Sequence, residues 1–168
     1  MMTTVEDVYD LERLYREHYR SLVRLAAILV DDVATCEELV QDAFVAVLRR
    51  SGGWLDDEKA PAYLRSAVLN GARSHLRKQQ VRRRWLRSAE PPGTAGGADG
   101  VVDAASGEVL DALRALPERQ REVLALRYYL DLSEAEIAAA LGIAAGTVKT
   151  HAHRGLAALA SRLEGVER

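Results

Sequence analysis

Two stretches of this sequence concentrate side chains that can grip a polyanion, and a third concentrates charge of the opposite sign. From Lys59 to Arg87 there are nine Lys or Arg and no Asp or Glu, a cation density that suits a nucleic-acid backbone. In LGIAAGTVKTHAHRGL, residues 141–156, the side chains of Thr147, Lys149, Thr150, His153 and Arg154 offer hydrogen bonds and positive charge from the outer side of a helix. Glu37-Glu38 and Asp56-Asp57-Glu58 are paired acids of the kind that perform proton transfer, yet no His, Gly-rich phosphate loop or Ser motif accompanies them. His151 and His153 stand two apart, so on a helix they point to nearly opposite sides and cannot share one ion. The chemistry offered is recognition, with no catalytic residue, no metal ligands and no cofactor expected.

The net charge of -2 conceals a strong segregation. Up to Glu58 there are thirteen acids and six bases, from Ser88 to Glu108 four acids and no base, and from Val109 onward eight of each. The 168 residues, 48% hydrophobic, suffice for one ordinary domain or two small ones. No segment reaches the roughly 18 apolar residues of a membrane span, and MMTTVEDVYD lacks a signal-peptide pattern. A cytoplasmic protein is expected. The lone Cys36 has no partner for a disulfide and no second thiol for a zinc site, and is expected to be a small buried residue.

These side chains need helices to hold them. Leu11, Leu14, His18, Leu22, Leu25 and Leu29 recur at steps of three and four and mark one face of a first helix. After Asp31-Asp32, the run EELVQDAFVAVL places Val40, Ala43, Phe44, Val47 and Leu48 on one face and directs Glu38, Gln41 and Asp42 elsewhere, until Ser51-Gly52-Gly53 ends it. Pro61 suits the first turn of a third helix, Ala62 to about Arg84. At 100° per residue, Leu64, Val68, Gly71, Ala72 and His75 gather on one side of it, and Ser66, Asn70, Arg73, Arg77, Gln80 and Arg84 form a polar, cationic row on the other.

Residues 88–107, rich in Gly, Pro and Ala, read as a flexible linker. Beyond it, VLDALRALPERQREVLALRYY predicts two helices interrupted by Pro117. Ser133 and Glu136 have the spacing of a capping box, which starts a short helix through Ile137, Ala138 and Leu141 that stops at Gly142. Small Ala138 permits close crossing by a second helix, which begins near Ala145 and buries Val148, Ala152, Gly155 or Leu156, Leu159 and Leu163. This is the pattern of a helix-turn-helix, whose second helix reads base edges in a DNA major groove.

With these motifs in place, the sequence resembles the extracytoplasmic-function (ECF) sigma factors, which direct bacterial RNA polymerase to promoters. ELVQDAFV is similar to the family's core-polymerase-binding helix, AYLRSAVLNGARSHLRK to its promoter-melting helix, and LPERQREVLALRYYLDLSEAEIAAALGIAAGTVKTHAHRGL to its reader of the upstream element. The resemblance implies an all-α chain of two small helical domains joined by a flexible linker: 1–87 (sigma region 2), 88–107 (linker) and 108–168 (sigma region 4, a four-helix helix-turn-helix domain). It implies that Glu38, Gln41 and Asp42 dock on the clamp helices of the largest polymerase subunit, and an acidic module suits a basic protein partner. It further implies that the loop from Ser51 to Pro61 traps an unstacked base of the -10 element. Asn70 is the best-matching polar position, and Arg73, Arg77 and Lys78 hold the backbone within a face that also includes Ser66, Gln80 and Arg84. The -35 element falls to Thr147, Lys149, Thr150, His153 and Arg154.

Single-stranded DNA is held by a cationic groove with surfaces for extruded bases. Trp54 and Trp85 can stack, although packing is the expected role of both. A linker of about 20 residues reaches at most roughly 65 to 70 Å. Promoter elements one and a half turns apart, at about 34 to 36 Å per turn, lie within that reach. Four positions depart from the family pattern: Ser74 and Leu69 replace an Asp and a basic residue, Ala144 replaces a capping Ser, and Ala152 replaces a Leu. The first two point to an unusual -10 preference and the last to a looser core. No appended module follows Arg168 in the sequence, so control is expected from a separate anti-sigma factor or from expression level. The rival reading is a LuxR-like helix-turn-helix regulator, since GTVKTHAHRGL is also similar to that family, but such a regulator does not require the acid-free basic helix. A nucleic-acid enzyme would need a carboxylate cluster or a nucleophile and base, and neither is found.

Overall fold

The computed structural model describes residues 5–50, 58–87 and 104–166. The chain divides into two compact units, Met1–Ala98 and Asp99–Arg168. Among the described residues every regular element is helical, and no helix is long and apolar enough to cross a membrane.

The first unit is built from α1 (Val5–Leu29), α2 (Val33–Arg50) and α3 (Ala60–Leu86), each packed on the other two. The predicted stripes form its core: Leu22, Leu25 and Leu29 of α1, Val40, Ala43, Phe44 and Val47 of α2, and Leu64, Val68 and Ala72 of α3 are buried. Cys36 is buried as expected. Tyr15 of α1 stacks on Tyr19, with ring centroids 4.5 Å apart, and tilts against Phe44 at 5.1 Å. The turn into α2 is fixed by Asp32, whose Oδ2 accepts hydrogen bonds from the backbone N–H of Thr35, at 2.8 Å, and from its hydroxyl. These bonds, first that from the Thr35 hydroxyl, hold the Asp32 carboxyl below its ordinary pKa, because donors aimed at the carboxylate favour its charged form.

Four expectations for this unit change. Leu48 is 43% exposed rather than core, because it lies at the border of the α2 stripe near the end of the helix. Helix α3 runs two residues further at each end than predicted. Leu69 is fully buried, so its departure from a basic residue is a packing feature, whereas Ser74 is exposed. Trp85 is 79% exposed rather than part of the core. Trp54 and most of the loop from Ser51 to Pro61 lie outside the described residues.

The second unit comprises α4 (Ala104–Arg114), α5 (Glu118–Leu124) continuing into a π-helical turn (Ala125–Tyr129), α6 (Glu134–Leu141) and α7 (Ala145–Val166). Helix α4 starts inside the stretch read as linker, where Ala104 and Ala105 are strong helix formers. Pro117 separates α4 from α5 as expected. Val123, Leu124, Ala125 and Leu126 are buried in succession, and α7 packs on α4, α5 and α6. One acid enters this core: Glu122 is almost fully buried, with Arg119 Nη1 3.0 Å from its Oε2.

Candidate nucleic-acid interface

The turn that aims α7 forms as the sequence predicts. Ser133 Oγ accepts from the Glu136 backbone N–H at 3.2 Å, and Glu136 Oε2 accepts from the Ser133 N–H at 2.8 Å, closing the capping box. Gly142 ends α6 at φ 64°, in the left-handed region that glycine enters without steric penalty. The Ile143 N–H then returns to the Ala138 carbonyl at 3.1 Å. Helix α7 opens with the Ala144 carbonyl accepting from the Thr147 and Val148 N–H groups.

Which side of α7 faces outward follows from what it buries. Val148, Ala152 and Gly155 face the core, whereas Leu156 is 41% exposed. The open choice between Gly155 and Leu156 is decided by α5: a Cβ at Gly155 would stand 3.1 Å from Leu124 Cδ1 and 3.3 Å from Gln120 Cβ. Leu159 and Leu163 are half-buried. Thr147, Lys149, Thr150, His153 and Arg154 are all exposed, and the Thr150 hydroxyl donates to the Gly146 carbonyl at 3.1 Å.

Lys149 carries an interaction that no helical spacing announces. Its Nζ lies 3.7 Å from Glu134 Oε2, and Arg127 Nη1 lies 3.5 Å from Oε1 of the same carboxylate. Glu134 therefore links the first turn of α6, the π-helical turn and α7. Arg127 also covers the ring of Tyr128 at 5.8 Å. His151 is half-buried and His153 exposed, which separates the two imidazoles as expected. Among the described residues no group of three or more His, Cys, Asp or Glu could hold a metal ion.

In the first unit, Asn70, Arg77, Lys78, Gln80 and Arg84 are exposed along α3, with Ser66 and Arg73 half-buried. Arg73 Nη1 donates to Asn70 Oδ1 at 3.3 Å, which orients the amide. Glu38, Gln41 and Asp42 are exposed on α2. Asp42 lines an open depression with Val45, Ala46, Arg49 and Arg50, and Arg50 lies over the Tyr63 ring of α3 at 5.1 Å. The exposed acidic face of α2 and the basic row of α3 thus belong to adjacent helices of one bundle.

Comparison with known proteins bears on both units. Residues 14–82 match the family model of sigma-70 region 2, and residues 106–159 match that of sigma-70 region 4. The RNA polymerase sigma-E factor of Streptomyces avermitilis is 34% identical over 166 residues, covering 94% of this chain and 87% of that protein. The ECF sigma factor SigW of Bacillus subtilis is 30% identical, over 95% of this chain and 87% of that one. In fold, the chain resembles the sigma factor RpoE of Bartonella quintana, solved with the anti-sigma factor NepR (TM-score 0.69, 24% identity, 92% of this chain and 97% of that chain). It also resembles CnrH, solved with the cytosolic domain of CnrY (TM-score 0.68, 24% identity, 92% and 88%). The match over residues 14–82 removes the ground for a LuxR-like regulator, which would have no region 2. A three-helix bundle and a helix-turn-helix in one chain, each matching its own sigma-70 region, place this protein in the ECF group of RNA polymerase sigma factors.

Proposed function

We propose that this chain binds core RNA polymerase through its first unit, helps to open the -10 region, and grips the -35 region through its second. The observation that carries the reading is the division of labour between α2 and α3. An exposed acidic face of Glu38, Gln41 and Asp42 adjoins a helix that has no acid from Lys59 to Arg87. A DNA surface would repel the first and attract the second, so only a partner set containing both a basic protein surface and DNA satisfies both.

In this reading the clamp helices of the largest polymerase subunit dock on α2. Arg73, Arg77 and Arg84 neutralise phosphates of the melted strand, while Ser66, Asn70 and Gln80 supply hydrogen bonds to its bases. Thr147, Lys149, Thr150, His153 and Arg154 enter the major groove of the upstream element, where Lys and Arg suit guanine and phosphate. The polymerase performs the chemistry, and the sigma factor contributes position and strand separation in the cytoplasm. An anti-sigma factor is the expected regulator, as a sigma factor of this fold has been solved with such a partner.

The test is to add purified protein to bacterial core polymerase and genomic DNA of its own host. Initiation at discrete sites supports the reading and reveals both elements. DNA binding by the protein alone, without a polymerase complex, would overturn it.

A further inference from the structure

Helix α1 flanks the face that α2 presents. Along the edge of α2 that meets α1, Glu37, Gln41 and Phe44 stand at i, i+4 and i+7. Glu37 and Gln41 are exposed, and Phe44 is buried. Across from them on α1, Tyr15 and Tyr19 stand one turn apart with their rings stacked, and Tyr15 also tilts against Phe44 at 5.1 Å. Burial first, then Tyr15 and the Glu37 carboxylate, raise the pKa of Tyr19, which keeps its phenol neutral beside that charge. The aromatic pair and Glu37 thus form one patch, which Gln41 joins to the row of Glu38 and Asp42.

A stack covers one face of each ring, and Tyr15 remains 42% exposed. Elsewhere the chain supplies its own cation to a tyrosine, as Arg50 does to Tyr63 and Arg127 to Tyr128. Among the described residues no such cation lies over Tyr15 or Tyr19, and Arg16, next to Tyr15 in the chain, bonds to Glu12 instead. A ring beside a carboxylate attracts a guanidinium twice, through the negative ring face and through opposite charge. Arg suits the pair better than Lys, because its flat group lies on a ring while its N–H fork meets a carboxylate. A basic protein surface, which the acidic row on α2 already selects, carries such side chains. A DNA strand brings phosphates, which Glu37 repels.

We propose that Tyr15, backed by Tyr19 and edged by Glu37, receives an Arg side chain of the polymerase surface that docks on α2. The site rests on the docking proposed above and widens it from one helix to two. Contact along α2 alone leaves the bundle free to roll about that helix, and a second contact on α1 fixes the angle at which α3 is presented to DNA.

The test titrates the full chain into bacterial core polymerase. Tyr15→Leu keeps an apolar contact for Phe44 but has no aromatic face, and should weaken the complex about three-fold or more. Tyr15→Phe keeps the face and should bind like the native chain, and Glu37→Gln should weaken binding about two- to five-fold. Native affinity in Tyr15→Leu or Glu37→Gln would overturn the proposal, as would a loss in Tyr15→Phe equal to that in Tyr15→Leu, which would assign the contact to the hydroxyl. A photo-cross-linking residue at position 15, mapped by mass spectrometry, reads the site without relying on a loss of binding. Capture of a polymerase peptide that contains Arg is expected. Capture of a peptide without Arg, capture of DNA, or no capture at position 15 while position 42 captures polymerase would overturn it. Asp42→Ala separates the two readings: if it weakens the complex while Tyr15→Leu does not, the aromatic site falls and the docking on α2 stands, and if neither weakens it, both fall.

Discussion

Replacing Glu134 by Gln should tighten binding to the upstream promoter duplex while destabilising the domain that binds it. In the free protein the Glu134 carboxylate lies within 3.7 Å of Lys149 and 3.5 Å of Arg127. Lys149 must leave that partner, or share it, to engage a phosphate or a base. An exposed ion pair of this kind contributes about 0.2 to 1 kcal/mol, so abolishing it should tighten duplex binding by up to about five-fold. The opposite effect arises within the fold. Glu134 is an acid in the first turn of α6, where a negative charge near the helix N-terminus contributes about 0.3 to 1 kcal/mol. For a domain of this size that loss lowers the melting temperature by about 1 to 8 °C. The assay is fluorescence anisotropy of a labelled duplex with the full chain, between about 50 and 200 mM salt, beside a thermal melt of the same protein. Lys149→Ala supplies the control, since one lost phosphate contact should reduce the logarithmic salt slope by about 0.9. Unchanged or weaker duplex binding by Glu134→Gln at low salt would refute the competition between carboxylate and DNA.

Arg154→Ala should weaken duplex binding and flatten its salt dependence, whereas Asp42→Ala should weaken the complex with core polymerase and leave duplex affinity unchanged; co-elution with core polymerase beside anisotropy reads both. Gly155→Val should cost about 1 to 3 kcal/mol in urea unfolding, because Leu124 already stands 3.1 Å from where the first side-chain carbon would be. Asp32→Ala should cost about 1 kcal/mol through the lost helix cap. Because the hydrogen bonds from Thr35 depress the folded pKa of Asp32, this contribution is fully present above the unfolded value of about 3.9. It disappears as pH falls through the folded value, so the gap between native and variant stability should hold from pH 7 to about 5 and close below about 4.

Local rules with fixed spacing were legible in the sequence. The capping box at Ser133 and Glu136, the left-handed Gly142 and the buried faces of α1, α2 and α7 each depend on residues three or four apart, so the chain itself states them. The segregation of charge was equally plain, because the absence of acid from Lys59 to Arg87 needs no coordinates. From these came the two helical units, the turn that aims α7, and the candidate faces on α2, α3 and α7.

Features that join distant residues were not legible. Periodicity says which side of α7 is apolar but not which helix crosses it, and only the approach of Leu124 and Gln120 makes Gly155 the buried residue and leaves Leu156 outside. The link from Glu134 to Lys149 and Arg127 spans three elements and has no helical spacing to reveal it. A stripe on α3 likewise does not say where the neighbouring helices stop covering it. The sequence by itself determined which helices form, where they turn and which charges they carry, because those depend on neighbours along the chain. Only the tertiary structure decided that Leu69 is core, that Lys149 is already paired and that Trp85 is largely exposed, because burial and pairing depend on how far each helix extends past its partners.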